Sequence, residues 1–148
     1  MIFENYQLAY RNVVSKLYNF YPDEIETAIK DLTAIIETNH HTVTGDLFFC
    51  MLSPPDAEIM TAEIFIPIEE KFCDIPASEK INFNSYFSIE NAIMARILNE
   101  YNEQSQIVFW NLLSYSKKEE LTPKTPIFVE YKHTYQGTNY VQMCMGVK

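Results

Sequence analysis

In residues 63–70, EIFIPIEE, apolar and polar positions alternate: Ile64, Ile66 and Ile68 fall on one side, Glu63, Phe65 and Pro67 on the other. A period of two predicts a β-strand, here over 58–68, with one face in the core and one open to solvent or a ligand. Upstream, Tyr6 to Leu17 reads as a strand whose imperfect alternation predicts an irregularity. Between the two, Ile25, Ala28, Ile29, Leu32, Ile35 and Ile36 form a stripe at helical spacing, with Asp23 and Glu24 supplying acids in the first turn. ETNHHTVTG closes that helix. DLFFCML (46–52) is a short apolar run, and SPPD then turns the chain into strand 58–68. The predicted order is strand, helix, strand, strand.

That order recurs. Aligned with itself without a gap so that Tyr6 meets Tyr86, the chain also pairs Asn19 with Asn99, Tyr21 with Tyr101, Leu32 with Leu112, Thr42 with Thr122 and Phe48 with Phe128. Strand 86–98 precedes a helix at 103–119 with Asn102 as its cap. TPIFVEYKH and TNYVQMCMGV supply the last two strands. Matched element order and spacing point to an internal duplication, with halves at about 6–68 and 86–147 joined by 69–85. Half-sized units are too small to bury their own sheets, so residues 1–148 are expected to form a single domain. The fold class expected is α+β: two strand-helix-strand-strand repeats in one mainly antiparallel sheet, with both helices on one face and a shared groove on the other.

Composition narrows the function classes. The 148 residues carry 20 acidic and 11 basic side chains, a net charge of -9, with no basic stripe, which argues against a nucleic-acid partner. Cys50, Cys73 and Cys144 are odd in number and lack a C-x-x-C spacing, so neither a disulfide framework nor a zinc knuckle is expected. His40 and His41 sit in a loop and His133 at a strand end, without H-x-x-x-H or H-E-x-x-H spacing, so no metal site is expected. With only three glycines there is no phosphate-cradling loop, and with no G-x-S-x-G no serine nucleophile elbow; no cofactor is expected. MIFENYQLAY lacks a charged segment followed by an apolar run, and no long apolar stretch occurs, so a cytoplasmic address without membrane contact is expected.

The groove face can be assigned strand by strand. Ile127, Val129 and Tyr131 are the more apolar set of their strand and should pack on the helices, leaving Phe128, Glu130 and Lys132 for the groove. An unpaired carboxylate on the core side would cost several kcal/mol, on the order of the penalty for burying a lone polar group or more. By the same parity Thr61, Glu63 and Phe65, with Phe48 and Cys50 in strand 46–52 and Tyr140, Gln142 and Cys144 in the last strand, face the groove. Glu63 and Glu130 read equally as ordinary wetted strand acids. Cys50 and Cys144 read as small buried hydrophobes, and most of the ten Tyr and ten Phe as strand filler. On helix 103–119 the core stripe is Val108, Phe109, Leu112 and Tyr115, with Trp110 nearly opposite and Ile107 towards its flank. Trp110 reads either as a ring folded over 69–85 or as the anchor of a partner surface.

Two of these stretches, AEIFIPIEE and TPIFVEYKH, resemble the GyrI-like small-molecule-binding domain, the effector-binding domain of AraC-type and multidrug-responsive regulators. The family forms are roughly E-[IV]-x-I-P-[IV] and G-P-x-F-E-[IV]-Y. Here Val129 stands where the second form has its glutamate, with Glu130 one residue later. The resemblance implies a paired strand-helix-strand-strand fold whose groove binds amphipathic, often cationic aromatic molecules against a carboxylate.

The leading expectation is therefore a non-catalytic module binding such a ligand through Glu63, Phe65, Thr61, Phe48, Cys50, Phe128, Glu130 and Tyr140. An alternative is a protein-binding accessory or chaperone, with Trp110, Ile107 and the acidic surface meeting another protein or a second copy in a homodimer. A third is a small-molecule hydrolase using Tyr140 with Glu63 or Glu130. An enclosed groove of ~300 Å³ or more favours a ligand or an enzyme, whereas a filled groove favours the protein partner.

Overall fold

The computed structural model describes residues 1–134 and 136–148. Among them are six strands, β1 (Phe3–Phe20), β2 (Phe48–Met51), β3 (Met60–Pro67), β4 (Asn82–Ile97), β5 (Pro123–His133) and β6 (Asn139–Val147), and two α-helices, α1 (Ile25–Thr38) and α2 (Tyr101–Lys118). Short 3-10 turns occupy Pro22–Glu24 and Ala77–Glu79. Each half thus runs strand, helix, strand, strand. The fold is α+β, with one antiparallel sheet.

Alternation decides which side chains meet the helices. Leu32 and Ile36 of α1 and Phe109 and Leu112 of α2 join one apolar cluster with Val14, Ile64, Ile66, Ile93, Val129, Met143 and Met145. Both helices therefore cover the same face, α1 over β1 and β3, α2 over β4 and β6. Leu32, Ile36 and Leu112 are fully buried, and each contributes about 1.5–3 kcal/mol by leaving water.

The helices end alike. After α1 the Asn39, His40 and His41 amides donate to the carbonyls of Ile35, Glu37 and Ile36 at 3.2, 3.0 and 3.1 Å. After α2 the Glu119, Glu120 and Leu121 amides donate to Tyr115, Lys117 and Ser116 at 2.9, 3.3 and 2.7 Å. These are positions that the Tyr6–Tyr86 alignment superimposes. His40 and Glu120 both adopt the left-handed conformation that stops a helix, at φ 64° and 56°.

Several boundaries differ from the sequence expectation. β1 runs on to Phe20 because its backbone stays paired with β3 as far as Met60, and β4 begins at Asn82 because that residue pairs with Ser15. Inter-strand hydrogen bonding outweighs the poor strand propensity of the asparagines. α2 starts at Tyr101 with Glu100 in the capping position at φ 49°, so Asn102 lies inside the first turn and does not cap it. The sheet also closes on itself in the order β1–β3–β2–β5–β6–β4, through pairing of β2 with β5. Among the described residues no helix is long and apolar enough to cross a membrane.

Candidate functional site

The face turned away from the helices carries a second apolar cluster, drawn from all six strands. Leu8, Val13, Phe48, Cys50, Phe65, Ile89, Met94, Phe128 and Cys144 are buried in it, with Tyr6, Tyr10 and Phe87 at its margin. Phe48 stacks on Phe65 at 4.7 Å between centroids and on Tyr10 at 4.3 Å; Phe87 lies 4.8 Å from Phe65 and 5.7 Å from Phe128. Such pairs add about 0.5–1.5 kcal/mol each beyond area burial. The rings fill the space between the strands. Two cavities of about 330 and 310 Å³ lie elsewhere, one along α1 (Asp31, Ile35, Glu79) and one at Glu90, Lys124 and Gly146.

Inside this cluster sits a carboxylate. Glu130 is 1% exposed. Tyr6 donates its hydroxyl to Oε2 at 2.5 Å, Tyr10 to Oε1 at 2.9 Å, and Gln142 Nε2 to Oε2 at 3.3 Å. Lys132 Nζ stands 3.4 Å from Oε1 and 5.6 Å from the centroid of the Tyr10 ring. The Gln142 amide also donates to the Tyr6 hydroxyl at 2.9 Å and accepts from Arg96 Nε at 2.8 Å, which holds its orientation. A lone buried carboxylate is costly; three neutral donors and one ammonium offset that cost.

The local sequence explains how these groups converge. In β1, Tyr6, Leu8 and Tyr10 share one face. Asn12, in the left-handed region at φ 53°, then breaks the alternation, so that Val13 and Ser15 continue that face. This is the irregularity expected in the first strand. Register completes the site: Phe48 pairs with Glu130 across β2–β5, and Glu130 with Gln142 across β5–β6.

Burial, and after it the bond to Glu130, pushes the Tyr6 phenol well above its ordinary range; burial and the Glu130 charge do the same at Tyr10. Phenols so held remain protonated hydrogen-bond donors and do not serve as bases. Burial, then the nearby Glu63 charge, pushes the Cys50 thiol up to about 12, and burial and Glu130 push Cys144 up as well. Neither thiol is disposed to act as a nucleophile.

The candidate residues fall into three groups. Phe48, Cys50, Phe65, Phe128 and Glu130 gather in the cluster. Glu63 lies on the same face, half-buried, and accepts from the buried Ser15 hydroxyl at 2.7 Å. Thr61 is engaged at the end of β3, donating to Asn19 Oδ1 at 2.7 Å, and Tyr140 lies opposite Lys132 on β6. Trp110 and Ile107 stand apart on α2, 48% and 51% exposed, with the indole edge-on to Phe109 at 5.0 Å. Tyr6 and Tyr10 were not foreseen, because nothing local links β1 to a glutamate near the other end of the chain. Among the described residues no three His, Cys, Asp or Glu side chains gather to hold a metal.

Comparison with known proteins places this geometry. A family model described as "Domain of unknown function (DUF5085)" matches residues 9–147. No curated protein matches the sequence. Among solved structures, the EcmrR C-terminal domain aligns over 100% of this chain and 96% of its own, at 11% identity and a TM-score of 0.62. The structure of SAV2435 bound to tetraphenylphosphonium aligns over 100% of this chain and 93% of its own, at 13% identity and a TM-score of 0.50. At such identities the likeness concerns the fold. This chain shares the fold of both neighbours.

Proposed function

The chain belongs to the DUF5085 family, and for it we propose non-catalytic binding of a small amphipathic molecule, an aromatic cation, at the ring-and-carboxylate cluster centred on Glu130. The observation that carries this reading is a buried carboxylate bonded by Tyr6 and Tyr10 and lying across from Phe48, whose ring packs with Tyr10, Phe65, Phe87 and Phe128. Aromatic faces beside a desolvated negative charge attract lipophilic cations, at ~0.5–2 kcal/mol per cation–π contact. Tetraphenylphosphonium, bound in the SAV2435 structure, is of this class. Because the rings pack on one another, a ligand enters only as they part, with Phe87 at the margin moving first. Glu63, Cys50, Thr61 and Tyr140 then belong to the rim of the opened site.

Titration calorimetry with tetraphenylphosphonium and the neutral triphenylphosphine oxide tests the reading. Glu130→Gln is expected to lower affinity for the cation about tenfold or more, roughly 1.4 kcal/mol, and affinity for the neutral probe much less, since only the charge term is removed. Glu63→Gln, which leaves the buried network intact, should lower cation affinity by a smaller factor. No binding by the wild type, or equal loss for both probes, rules the cation site out.

A second reading, an accessory module for another protein or for a second copy, is favoured by two observations. The face opposite the helices is filled by its own rings, and α2 presents Trp110 and Ile107 to solvent on adjacent turns. A hydrolase is the least supported of the three, because the phenols nearest Glu130 are held protonated.

A further inference from the structure

The Glu130 carboxylate already has a cation. Of its four partners, Tyr6 and Tyr10 reach it from β1 and Gln142 from β6, each anchored in the paired sheet. The fourth, Lys132, stands two residues further along β5, its side chain 28% exposed against 1% for that of Glu130. Its ammonium lies 3.4 Å from the carboxylate and 5.6 Å from the Tyr10 ring centroid. A positive charge against a carboxylate and an aromatic ring is the pose a bound aromatic cation would itself take.

We propose that Lys132 is a tethered competitor, whose ammonium occupies the cation seat of the Glu130 site and must be displaced by a ligand, so that this residue sets which cations bind. The inference rests on the reading of the cluster as a ligand site.

The geometry singles out Lys132 as the partner that yields. Moving Tyr6, Tyr10 or Gln142 dismantles bonds among the strands, whereas Lys132 carries its charge on a flexible four-carbon stem whose end reaches water by rotation alone. Displacement exchanges one ion pair for another, so the gain depends on hydration. A compact ammonium is strongly hydrated, and returning it to water while a diffuse, weakly hydrated cation takes its place is favourable. A primary alkylammonium offers no such difference, since it surrenders the hydration that Lys132 regains. The site therefore selects delocalised or fully substituted cations and resists simple amines.

Titration of the wild type, Lys132→Met and Lys132→Arg with tetraphenylphosphonium and with hexylammonium reads this directly, thermal melting of each unliganded variant verifying the fold. Lys132→Met is expected to tighten tetraphenylphosphonium by about five- to tenfold, the scale of one partly exposed ion pair. It should also bring hexylammonium into measurable range, while Lys132→Arg stays within about twofold of the wild type. If Lys132→Met melts early, the shorter polar Lys132→Gln takes its place with the same expectation. Wild-type binding that is unchanged or weakened by loss of the lysine overturns the competitor role and leaves the cation site standing. Absence of tetraphenylphosphonium binding in every variant overturns both.

Discussion

Tyr6 donates the shortest of the contacts to Glu130 and is itself held by Gln142. Tyr6→Phe keeps the ring and removes only that donor, leaving one lone pair of a buried carboxylate and one amide proton of Gln142 without a partner. The expected cost is about 1–3 kcal/mol, read as a lower urea midpoint at unchanged slope. An unchanged midpoint would mean that Glu130 draws its stabilisation from the remaining contacts. At this scale the sequence was partly legible: parity in β5 and β6 placed Glu130, Lys132 and Gln142 on one face. It was silent on Tyr6 and Tyr10, because the bonds join residues that only the folded sheet brings together.

Among the elements, α2 carries two separable faces. Phe109, Leu112 and Ser116 are buried, as the helical period led one to expect for the first two, while Ile107 and Trp110 remain exposed. Trp110 touches Phe109 edge-on, so Trp110→Ala is expected to change the unfolding free energy by less than about 1 kcal/mol, in the range of surface substitutions. If the indole anchors a second copy, concentration-dependent sedimentation of the wild type should be reduced in the variant. Strong destabilisation of the isolated monomer would make it a packing residue instead. The matched bonds closing α1 and α2 reflect the same internal symmetry that the gapless alignment detected. The helix start at Tyr101 was misread because Asn102 has a good capping side chain, whereas the backbone turns one residue pair earlier, at Glu100.

For the whole molecule, the raised phenols make stability depend on alkaline pH. Tyr6, Tyr10 and Tyr18 all titrate above the ordinary value of 10.0 when folded, burial being the leading cause at each. The unfolded chain therefore gives up these protons first. The folded state binds more protons above about pH 10, so stability is full below that pH and falls as pH rises from there towards the folded-state values. Denaturant midpoints measured from neutral pH to above 10 should stay level and then decline, and the tyrosinate absorbance of these three phenols should appear together with unfolding. The net charge of -9 adds self-repulsion in the same direction. Tyrosinate absorbance that accounted for all three phenols while the fold persisted would contradict the buried Glu130 network.

Local periodicity by itself determined the element order, the two-sided strands, the single helix-covered face and the side on which Glu63 and Glu130 lie, because a period of two or 3.6 is written in neighbouring residues. Only the tertiary structure decided that β2 pairs with β5 to close the sheet, that Asn12 redirects β1, and that Phe48, Phe65, Phe87 and Phe128 pack on one another. It alone gave Glu130 its partners on β1 and β6 and set Lys132 over the Tyr10 ring. Those outcomes depend on which strands become neighbours, and strand pairing is settled by closure of the whole sheet, which no window of the chain contains.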